Sequence, residues 1–426
     1  MANNFDSNFT RKVAKIFMKK FNSTRVMSKI VNTQLLTGRF NPDSGGNVDF
    51  KRPTDYVSTR TSDGDIASGD PSPIITGKCT GTVQNYFTVE IDYQEADEAI
   101  KMGDKTELLD PAATRIVTDL ELDFASFMMK NSALLAGTVG TAADTWDDVA
   151  EAGAVLQANG TPMDDPWYFA VNPYTQRKLA SNQRSLGAGG NVGNIIKNAH
   201  EKATITSNFA GFDRVMTATT LPSYTTWSGA DRAGTLTAAP TLTYVGAKDT
   251  MTQVLAVTGF TANQQVRAGE RIAVSGRYRN NLSTREAIID ENGNQVLFVG
   301  TVTTAVTLGA SGEGNITITG PGIWETSGAY NTTTDAIASG DVVTLLGSLS
   351  TIHQPNLFWH KQAFSIGSVP IMKLHSTDTV ATTEDGLQLR VSKGASILNN
   401  KQIVRVDLRP AYAVLNPFFA GHCYGS

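Results

Sequence analysis

Residue types that often carry chemistry are present in this sequence, but their spacing does not assemble a catalytic site. His375, Ser376 and Asp378 supply the three residue types of a hydrolytic triad within four positions. A triad needs side chains that converge from separate segments, whereas neighbours on a strand point to opposite faces, so this closeness argues against catalysis. His422 and Cys423 are adjacent and fail for the same reason. We therefore predict no catalytic residues and no enzymatic activity.

Segments that look like ligand loops also depart from the patterns such loops require. Residues 187–193 are glycine-rich, but the third glycine falls one position late for a dinucleotide loop, and no Lys-Ser/Thr pair follows for a P-loop. Asp63 and Asp65 begin a calcium-like loop in which Ala67 occupies the third ligand position. The loop at 290–294 has its glycine out of register, and the five histidines lack the spacing of metal ligands. We predict no metal site and no cofactor.

The composition describes a chain with little charged surface. It has 426 residues, a net charge of −4 and a charged fraction of 18%, against about 25% for ordinary soluble domains. The two cysteines, Cys79 and Cys423, are too few for a disulfide framework and belong to no CxxC motif or Cys/His cluster, which favours a reducing compartment. No apolar run reaches about 18 residues and no secretory signal is present, so we expect no membrane partner. A weakly charged surface of this kind is often covered in an assembly.

The net charge conceals a basic N-terminal arm. Residues 1–29 carry +6, and the remaining residues carry −10. Val13, Ile16, Phe17 and Phe21 recur at helical spacing, so a helix here has a narrow apolar stripe flanked by cations. The five cations that we assign to a docking surface are Arg11, Lys12, Lys15, Lys19 and Lys20. We favour an acidic protein partner for this arm; a transit peptide, a membrane-surface helix and a solvated arm stay open.

The first third of the body reads as an extended excursion followed by a long helix. Turn residues punctuate 38–82, which indicates a long loop or two-stranded ribbon. Alternating apolar residues over 80–93 predict one strand. Asp110 and Pro111 form an N-terminal helix signal, and apolar residues on one face then predict a helix that runs to Gly137. A helix that long with one apolar face is suited to backing a sheet.

The middle of the chain predicts an α/β module and then a β-domain. Thr145 and Asp148 form a capping-box start, and the apolar run 167–171 predicts a buried strand. Residues 223–350 contain 22 Thr and 16 Gly, and short apolar segments recur there between turns, so we predict a small closed or nearly closed β-domain. Mixed patterning resumes at Asn356, which indicates that this β-domain is inserted into a host domain. Its strand-like segments are 241–245, 254–257, 271–274, 295–302, 315–319 and 342–346.

Short motifs in register along the chain resemble the coat proteins of short-tailed, P22-like phages, and within them the Sf6 branch. The segments that carry the resemblance are 51–53, 77–83, 85–89, 93–96, 115–121, 127–131, 208–211, 355–358, 367–370, 373–376, 408–412 and 416–417. Each motif alone is short, but a dozen in order over nearly the whole chain are specific.

The resemblance implies an α+β fold of the HK97-like capsid type, with an inserted small β-barrel domain. It implies the following division: 1–34, N-terminal arm; 35–85, extended loop; 86–137, peripheral domain with the spine helix; 138–222, first part of the axial domain; 223–349, inserted β-barrel; 350–426, second part of the axial domain and return to the peripheral domain. By analogy, the extended loop overlaps a neighbouring subunit, and we assign that contact to Lys51, Arg52, Asp63 and Asp65.

The same resemblance implies a major capsid protein that self-assembles into hexamers and pentamers of an icosahedral shell around double-stranded DNA. The implied partners are further copies of the chain, a scaffolding protein, a portal protein and non-specifically held DNA. The implied location is the virion, after assembly in the cytoplasm of the bacterial host. Two alternatives remain at this point: a β-structural tail or adhesin protein, and a hydrolase with an appended β-domain.

Overall fold

The computed structural model describes residues 5–33, 47–52, 56, 58, 60–67, 74–94, 105–185, 199–229, 231–240, 242–326, 328–396 and 401–426. The segment 187–193, considered above as a phosphate loop, lies outside the described residues. Among the described helices, none is long and apolar enough to cross a membrane. The labelled helices are α1 Phe5–Thr24, α2 Lys105–Lys130, α3 Trp146–Ala158, α4 Pro173–Ser185 and α5 Tyr244–Ala247.

The strands follow in chain order. The first seven are β1 Asn47–Lys51, β2 Lys78–Val83, β3 Phe87–Gln94, β4 Leu134–Ala136, β5 Trp167–Val171, β6 Arg214–Thr217 and β7 Tyr224–Thr225. The next eight are β8 Ala233–Leu236, β9 Thr252–Thr258, β10 Gln265–Val266, β11 Arg271–Tyr278, β12 Leu297–Val302, β13 Val306–Thr307, β14 Gly314–Thr319 and β15 Val342–Leu345. The last eight are β16 Ile352–His353, β17 Asn356–His360, β18 Phe364–Ser368, β19 Thr379–Thr382, β20 Gln388–Ser396, β21 Lys401–Leu408, β22 Pro410–Val414 and β23 Ala420–Cys423.

The chain divides into two compact units. Unit 1 comprises Met1–Asp49, Thr80–Ala125 and Phe364–Val414, and unit 2 comprises Phe50–Cys79, Ser126–Ala363 and Leu415–Ser426. The unit boundaries fall inside β1, β2 and α2, so single elements carry the chain from one unit into the other.

Unit 1 is built around two four-stranded sheets, ordered β1-β2-β22-β18 and β19-β20-β21-β3. The second sheet contains a buried ion pair in which Arg390 Nη2 lies 2.5 Å from Asp407 Oδ2. Burial would raise the pKa of Asp407, but hydrogen bonds from Arg405, Arg390 and Thr88 outweigh it and hold the pKa below its ordinary value. The Asp407 carboxylate is therefore ionised in the folded sheet and joins three strands.

The single strand predicted over 80–93 is two strands in the structure. β2 pairs with β22, whereas β3 pairs with β21 over its whole length, from Phe87 opposite Leu408 to Gln94 opposite Lys401. Residues 84–86 interrupt the ladder, and Gln84 N donates to Pro410 O at 2.9 Å. The break lets consecutive residues join different sheets, which an alternating sequence pattern cannot distinguish from one continuous strand.

The long predicted helix is present, but it begins and ends at other residues than predicted. α2 begins before Pro111, at Lys105, and ends at Lys130, before the predicted stop at Gly137. Asn131 Nδ2 donates to Phe127 O at 2.9 Å, and Ser132 Oγ donates to Met128 O at 2.7 Å, so these side chains satisfy carbonyls of the last turn. The chain then enters β4, which explains why the apolar pattern continues beyond the end of the helix.

Unit 2 contains the predicted α/β module. Its mixed sheet is ordered β4-β23-β17-β5-β6, and α3 packs beside it through buried Val149, Ala152 and Leu156. The capping box is confirmed, because Thr145 Oγ1 accepts from Asp148 N and the Asp148 carboxylate accepts from Thr145 N. The predicted buried strand at 167–171 is β5.

The inserted β-domain is a closed barrel ordered β11-β12-β14-β9-β8-β15. Its interior holds buried aliphatic and aromatic side chains, including Leu255, Ile272, Phe298 and Ile316. The strand predicted at 241–245 is wrong: Thr243 caps the short helix α5, its Oγ1 accepting from Gly246 N. The other five predicted strand segments correspond to β9, β11, β12, β14 and β15.

A buried arginine ties the barrel to the segment that follows α2. Arg271, in β11, donates from Nη1 to Ser132 O at 2.9 Å and from Nη2 to Ala133 O at 2.7 Å. Burial and the neighbouring Arg279 lower the pKa of Arg271 to about 9. The planar guanidinium reaches two adjacent carbonyls at once, so it fixes the direction in which the chain leaves the long helix.

Candidate assembly surfaces

The N-terminal arm is a helix folded onto unit 1. In α1, Val13, Phe17 and Phe21 are buried, and the two phenylalanine rings stack at 6.5 Å. The helix packs against β19 and β20. Thr10 Oγ1 donates to Thr377 O at 2.9 Å and lies 2.8 Å from Thr379 Oγ1. The predicted apolar stripe is therefore the face that holds the arm in place.

Four of the five cations assigned to the docking surface lie away from that buried face. Arg11, Lys12, Lys15 and Lys19 are exposed. Lys20 is half-buried, and its Nζ lies 3.8 Å from Asp110 Oδ2. Four of the five predicted cations are therefore exposed on α1. The fifth, Lys20, is also on α1 but lies beside an acid of the same unit.

A buried carboxylate holds the end of the arm, and the sequence reasoning did not find it. Glu121, on α2, is 2% exposed. Its carboxylate accepts from Val26 N at 3.1 Å, Met27 N at 2.9 Å and Ser28 N at 3.1 Å, and also from the Ser28 hydroxyl. The backbone N–H groups of three consecutive residues just after α1 therefore donate to one carboxylate, so Glu121 defines where the arm turns.

Arg25 completes this docking site. Its Nε donates to Ser28 Oγ at 2.8 Å, its Nη2 donates to Ser28 O at 2.7 Å, and its Nη1 lies 2.9 Å from Asp385 Oδ2. Burial lowers the pKa of Arg25, while Asp385 and Glu121 act in the opposite direction. An apolar stripe with an arginine just after it was the only sequence signal for this site, because its acidic partners are distant in sequence.

The residues assigned to the extended loop have different environments. Lys51 is exposed at the end of β1, whereas Arg52 is only 6% exposed. Burial lowers the pKa of Arg52, opposed by nearby groups that include Asp249. Asp63 and Asp65 are exposed, and each accepts a hydrogen bond from the backbone N–H two residues further on. The two aspartates form successive Asx turns, and Arg52 is committed within its own chain.

The returning stem of this loop is held by the inserted domain, inside unit 2. Arg52 N donates to Gly77 O at 2.7 Å, and Lys78 N donates to Asp249 Oδ1 at 3.0 Å, just after α5. A Cβ atom on Gly77 would lie 2.6 Å from Lys248 O. The backbone of the stem therefore approaches the helix as closely as glycine permits.

The two cysteines and His422 lie in the interior, whereas His375 and Ser376 of the rejected triad are exposed. Cys79 and Cys423 are buried thiols that do not form a disulfide, and burial raises the pKa of the Cys423 thiol. His422 is fully buried, its Nε2 bonds Met129 O at 2.8 Å, and burial lowers its pKa. Over the part of the chain that the structure describes, no group of three or more His, Cys, Asp or Glu side chains is arranged to hold a metal ion.

Comparison with known proteins identifies the chain's relatives. The family model for the P22 coat protein, gene protein 5, matches residues 1–424. The chain belongs to the P22 coat protein family. It is also 34% identical, over 430 residues that span all of both chains, to the major capsid protein of Acyrthosiphon pisum secondary endosymbiont phage 1.

Solved structures show a more distant likeness. A capsid chain of the cyanophage P-SCSP1u has 12% identity and a TM-score of 0.43, with 90% of this chain and 84% of that chain covered. A chain of Mycobacterium phage Che8 has 12% identity and a TM-score of 0.47, with 94% and 92% covered. The assignment to the P22 coat protein family does not depend on these scores.

Membership of this family shows what the protein does in general terms. The protein is a phage major capsid protein, and coat proteins of this kind assemble with copies of themselves into the virion shell. The family and the observed helices, sheets and closed barrel agree with the expected HK97-like α+β fold. The alternatives of a tail or adhesin protein and of a hydrolase gain no support from these comparisons.

Proposed function

We propose that this coat protein forms hexamers and pentamers and closes them into an icosahedral shell around double-stranded DNA. The observation that carries the proposal is a full-length match to a coat-protein family together with extensive exposed apolar side chains. Large apolar side chains that lie close together in water, as Met372 and Leu374 do, are typical of surfaces that another protein covers. Contacts of moderate size suffice, because a closed lattice repeats each of them many times.

The charge of the body supports DNA as the content of the shell. Outside residues 1–29 the chain carries a net charge of −10. An acidic wall repels phosphates, so DNA is enclosed without adhering, whereas a basic lining would bind it in a salt-dependent way. We propose non-specific enclosure and no sequence recognition.

We further propose that the arm docks an acidic scaffolding protein during assembly. The exposed cations Arg11, Lys12, Lys15 and Lys19 lie on a helix that is already folded, so binding them costs little ordering of the backbone. Attraction between opposite charges at an exposed surface weakens with salt, which suits a partner that must leave later. The portal protein is a second proposed partner, and the proposed place of assembly is the cytoplasm of the bacterial host.

For the extended loop we propose contact with a neighbouring copy through Lys51, Asp63 and Asp65, which are exposed. Arg52 has the internal role of holding the stem. We retain the predicted domain division, with residues 223–349 as the inserted barrel domain, and propose a purely structural protein without catalysis or cofactor.

Neutralising the arm tests the scaffold proposal. Replacing Lys15, Lys19 and Lys20 with Gln should reduce the yield of shells in co-expression with the scaffold and leave the thermal unfolding of the coat protein nearly unchanged. Gln replacements of Lys178, Lys202 and Lys361, which lie outside the arm, remove the same number of charges and serve as the matched control. Normal shell yield from the arm variant, or an equal loss in the control, would contradict the docking role.

A further inference from the structure

One face of α4, in unit 2, presents cations and hydroxyl groups to water. Tyr174 is 78% exposed, and Arg177, Ser181 and Arg184 are exposed as well. These positions recur at intervals of three and four residues, so the four side chains share one face of the helix. The opposite face holds the helix in place through Leu179, which is fully buried.

The exposed face of α4 borders a groove with a volume of about 430 Å³. Arg177, Lys178, Ser181 and Arg184 line it from α4, and His200 lines it from the helical turn at 199–202. None of the described residues that line the groove is acidic. The groove is therefore a concave surface with one sign of charge, and such a surface concentrates the potential that attracts anions.

Two of the three cations that line the groove are not neutralised within the part of the chain that the structure describes. Lys178 Nζ lies 3.5 Å from Asp144 Oδ2, whereas neither Arg177 nor Arg184 makes an ion pair there. Glu201 is exposed beside His200 but does not line the groove. Two guanidinium groups are thus available to an anion, on a body whose net charge outside residues 1–29 is −10.

The donors of the groove suit phosphate groups. Contacts to DNA phosphates come from arginine and lysine together with serine and tyrosine hydroxyls, and all four residue types are present on this face of α4. A guanidinium binds a phosphate through two parallel N–H groups. Tyr174 lies at one end of the face, so the groove itself contains no large apolar side chain. A protein partner normally buries an apolar core, which the described lining of this groove does not offer.

We propose that this groove binds phosphates of the packaged DNA, without regard to base sequence. Arg177 and Arg184 each contact a phosphate, and the Ser181 hydroxyl between them donates a further hydrogen bond. Two cations bind weakly and in a salt-dependent way, but the contact is repeated in every subunit of the shell. The inference deepens the proposed enclosure of DNA, on which it rests, by naming where an otherwise acidic wall touches its content.

Fluorescence anisotropy of a short labelled DNA duplex, titrated with the unassembled subunit at a series of salt concentrations, tests the groove. Arg177→Gln with Arg184→Gln should bind more weakly and should lower the slope of log affinity against log salt by about 2, one for each phosphate contact. The matched control, Arg214→Gln with Arg267→Gln, removes two exposed arginines of the same unit and should keep the wild-type slope. The basic arm is intact in all these variants, so its contribution to binding is the same in each.

Two further measurements identify what the groove binds. Arg177→Lys with Arg184→Lys retains both charges and should restore most of the slope. Duplexes of different sequence should bind alike, and inorganic phosphate at constant ionic strength should not displace them.

Other outcomes overturn the proposal. An unchanged slope in the groove variant, or an equal fall in the control, would show that the groove does not hold DNA. Labelled poly-glutamate that binds as tightly as the duplex and depends equally on the two arginines would assign the groove to an acidic protein. Displacement of the duplex by inorganic phosphate would assign it to the free ion.

Shell formation is followed separately. The groove variant should keep the melting temperature of the subunit and form shells in normal yield, and a loss of shells would assign the groove to subunit contacts. Wild-type shells that never fill with DNA would contradict the proposed function, whereas DNA-filled wild-type shells with an unchanged slope in the groove variant would contradict only this inference.

Discussion

Removing the Glu121 carboxylate should weaken the hold on the N-terminal arm by a predictable amount. In Glu121→Ala, the backbone N–H groups of Val26, Met27 and Ser28 lose their acceptor. Met27 and Ser28 are 0% and 1% exposed, so water does not replace the carboxylate while the arm stays docked. Each buried donor left unpaired costs about 1–3 kcal/mol, which gives about 2–6 kcal/mol for these two.

The alternative response is that the arm leaves its site and hydrates the freed groups. Undocking would expose the buried side chains of Val13, Phe17, Phe21 and Met27. Each is worth about 1.5–3 kcal/mol of burial, so undocking costs more than keeping two unpaired donors. We therefore expect the arm to remain docked in the variant, with the free energy of unfolding lowered by about 4 kcal/mol.

Urea denaturation of the unassembled subunit, followed by circular dichroism, measures this loss in the free energy of unfolding. Asp119→Asn is the matched control on the same helix, because it removes only an exposed pair with Arg115, worth about 0.3–0.5 kcal/mol. Proteolysis at the arm lysines reports whether the arm has undocked. A Glu121→Ala variant as stable as Asp119→Asn would show that the carboxylate does not hold the arm.

Three further predictions concern the interior. Gly77→Ala should lower the free energy of unfolding by about 1–3 kcal/mol, because the new methyl group meets a carbonyl at 2.6 Å; Gly394→Ala, which meets nothing within 4 Å, should change it little in the same denaturation assay. Arg271→Lys should be destabilised by about 1.5–3 kcal/mol, since a lysine has one nitrogen in place of the Nη1 and Nη2 that reach the two carbonyls separately. A melting scan in which it matches the exposed control Arg267→Lys would be the contrary result. The pKa of Asp407 is lower in the folded than in the unfolded chain. Its contribution to the free energy of unfolding is therefore present above about pH 4 and is lost as the pH falls through the folded pKa. Asp407→Asn should flatten the fall in stability below about pH 4, and an unchanged acid profile would count against this role.

Features set by neighbouring residues were predictable from the sequence. The capping box of Thr145 and Asp148 involves groups three residues apart, and the barrel strands follow from alternation and turns. The strand predicted at 241–245 failed although its pattern was local. Tyr244 stacks on Tyr330 at 3.7 Å, and this distant contact favours a helical turn over an extended segment.

The docking sites depend on partners far along the chain. Glu121 binds Ser28 across 93 positions, and Arg271 binds Ser132 across 139. A charged residue in an apolar stretch carries no sign that it will be buried, because its burial depends on which backbone groups the fold brings to it. For the same reason the sequence indicated a basic arm but not the acid that holds it.

Electron microscopy of the protein produced with its scaffold shows whether the chain builds a closed shell. We expect closed shells of uniform size, built from hexameric and pentameric capsomers in which the arm helix lies against its own subunit. A chain that remains monomeric under these conditions, or that forms open fibres in place of shells, would contradict it.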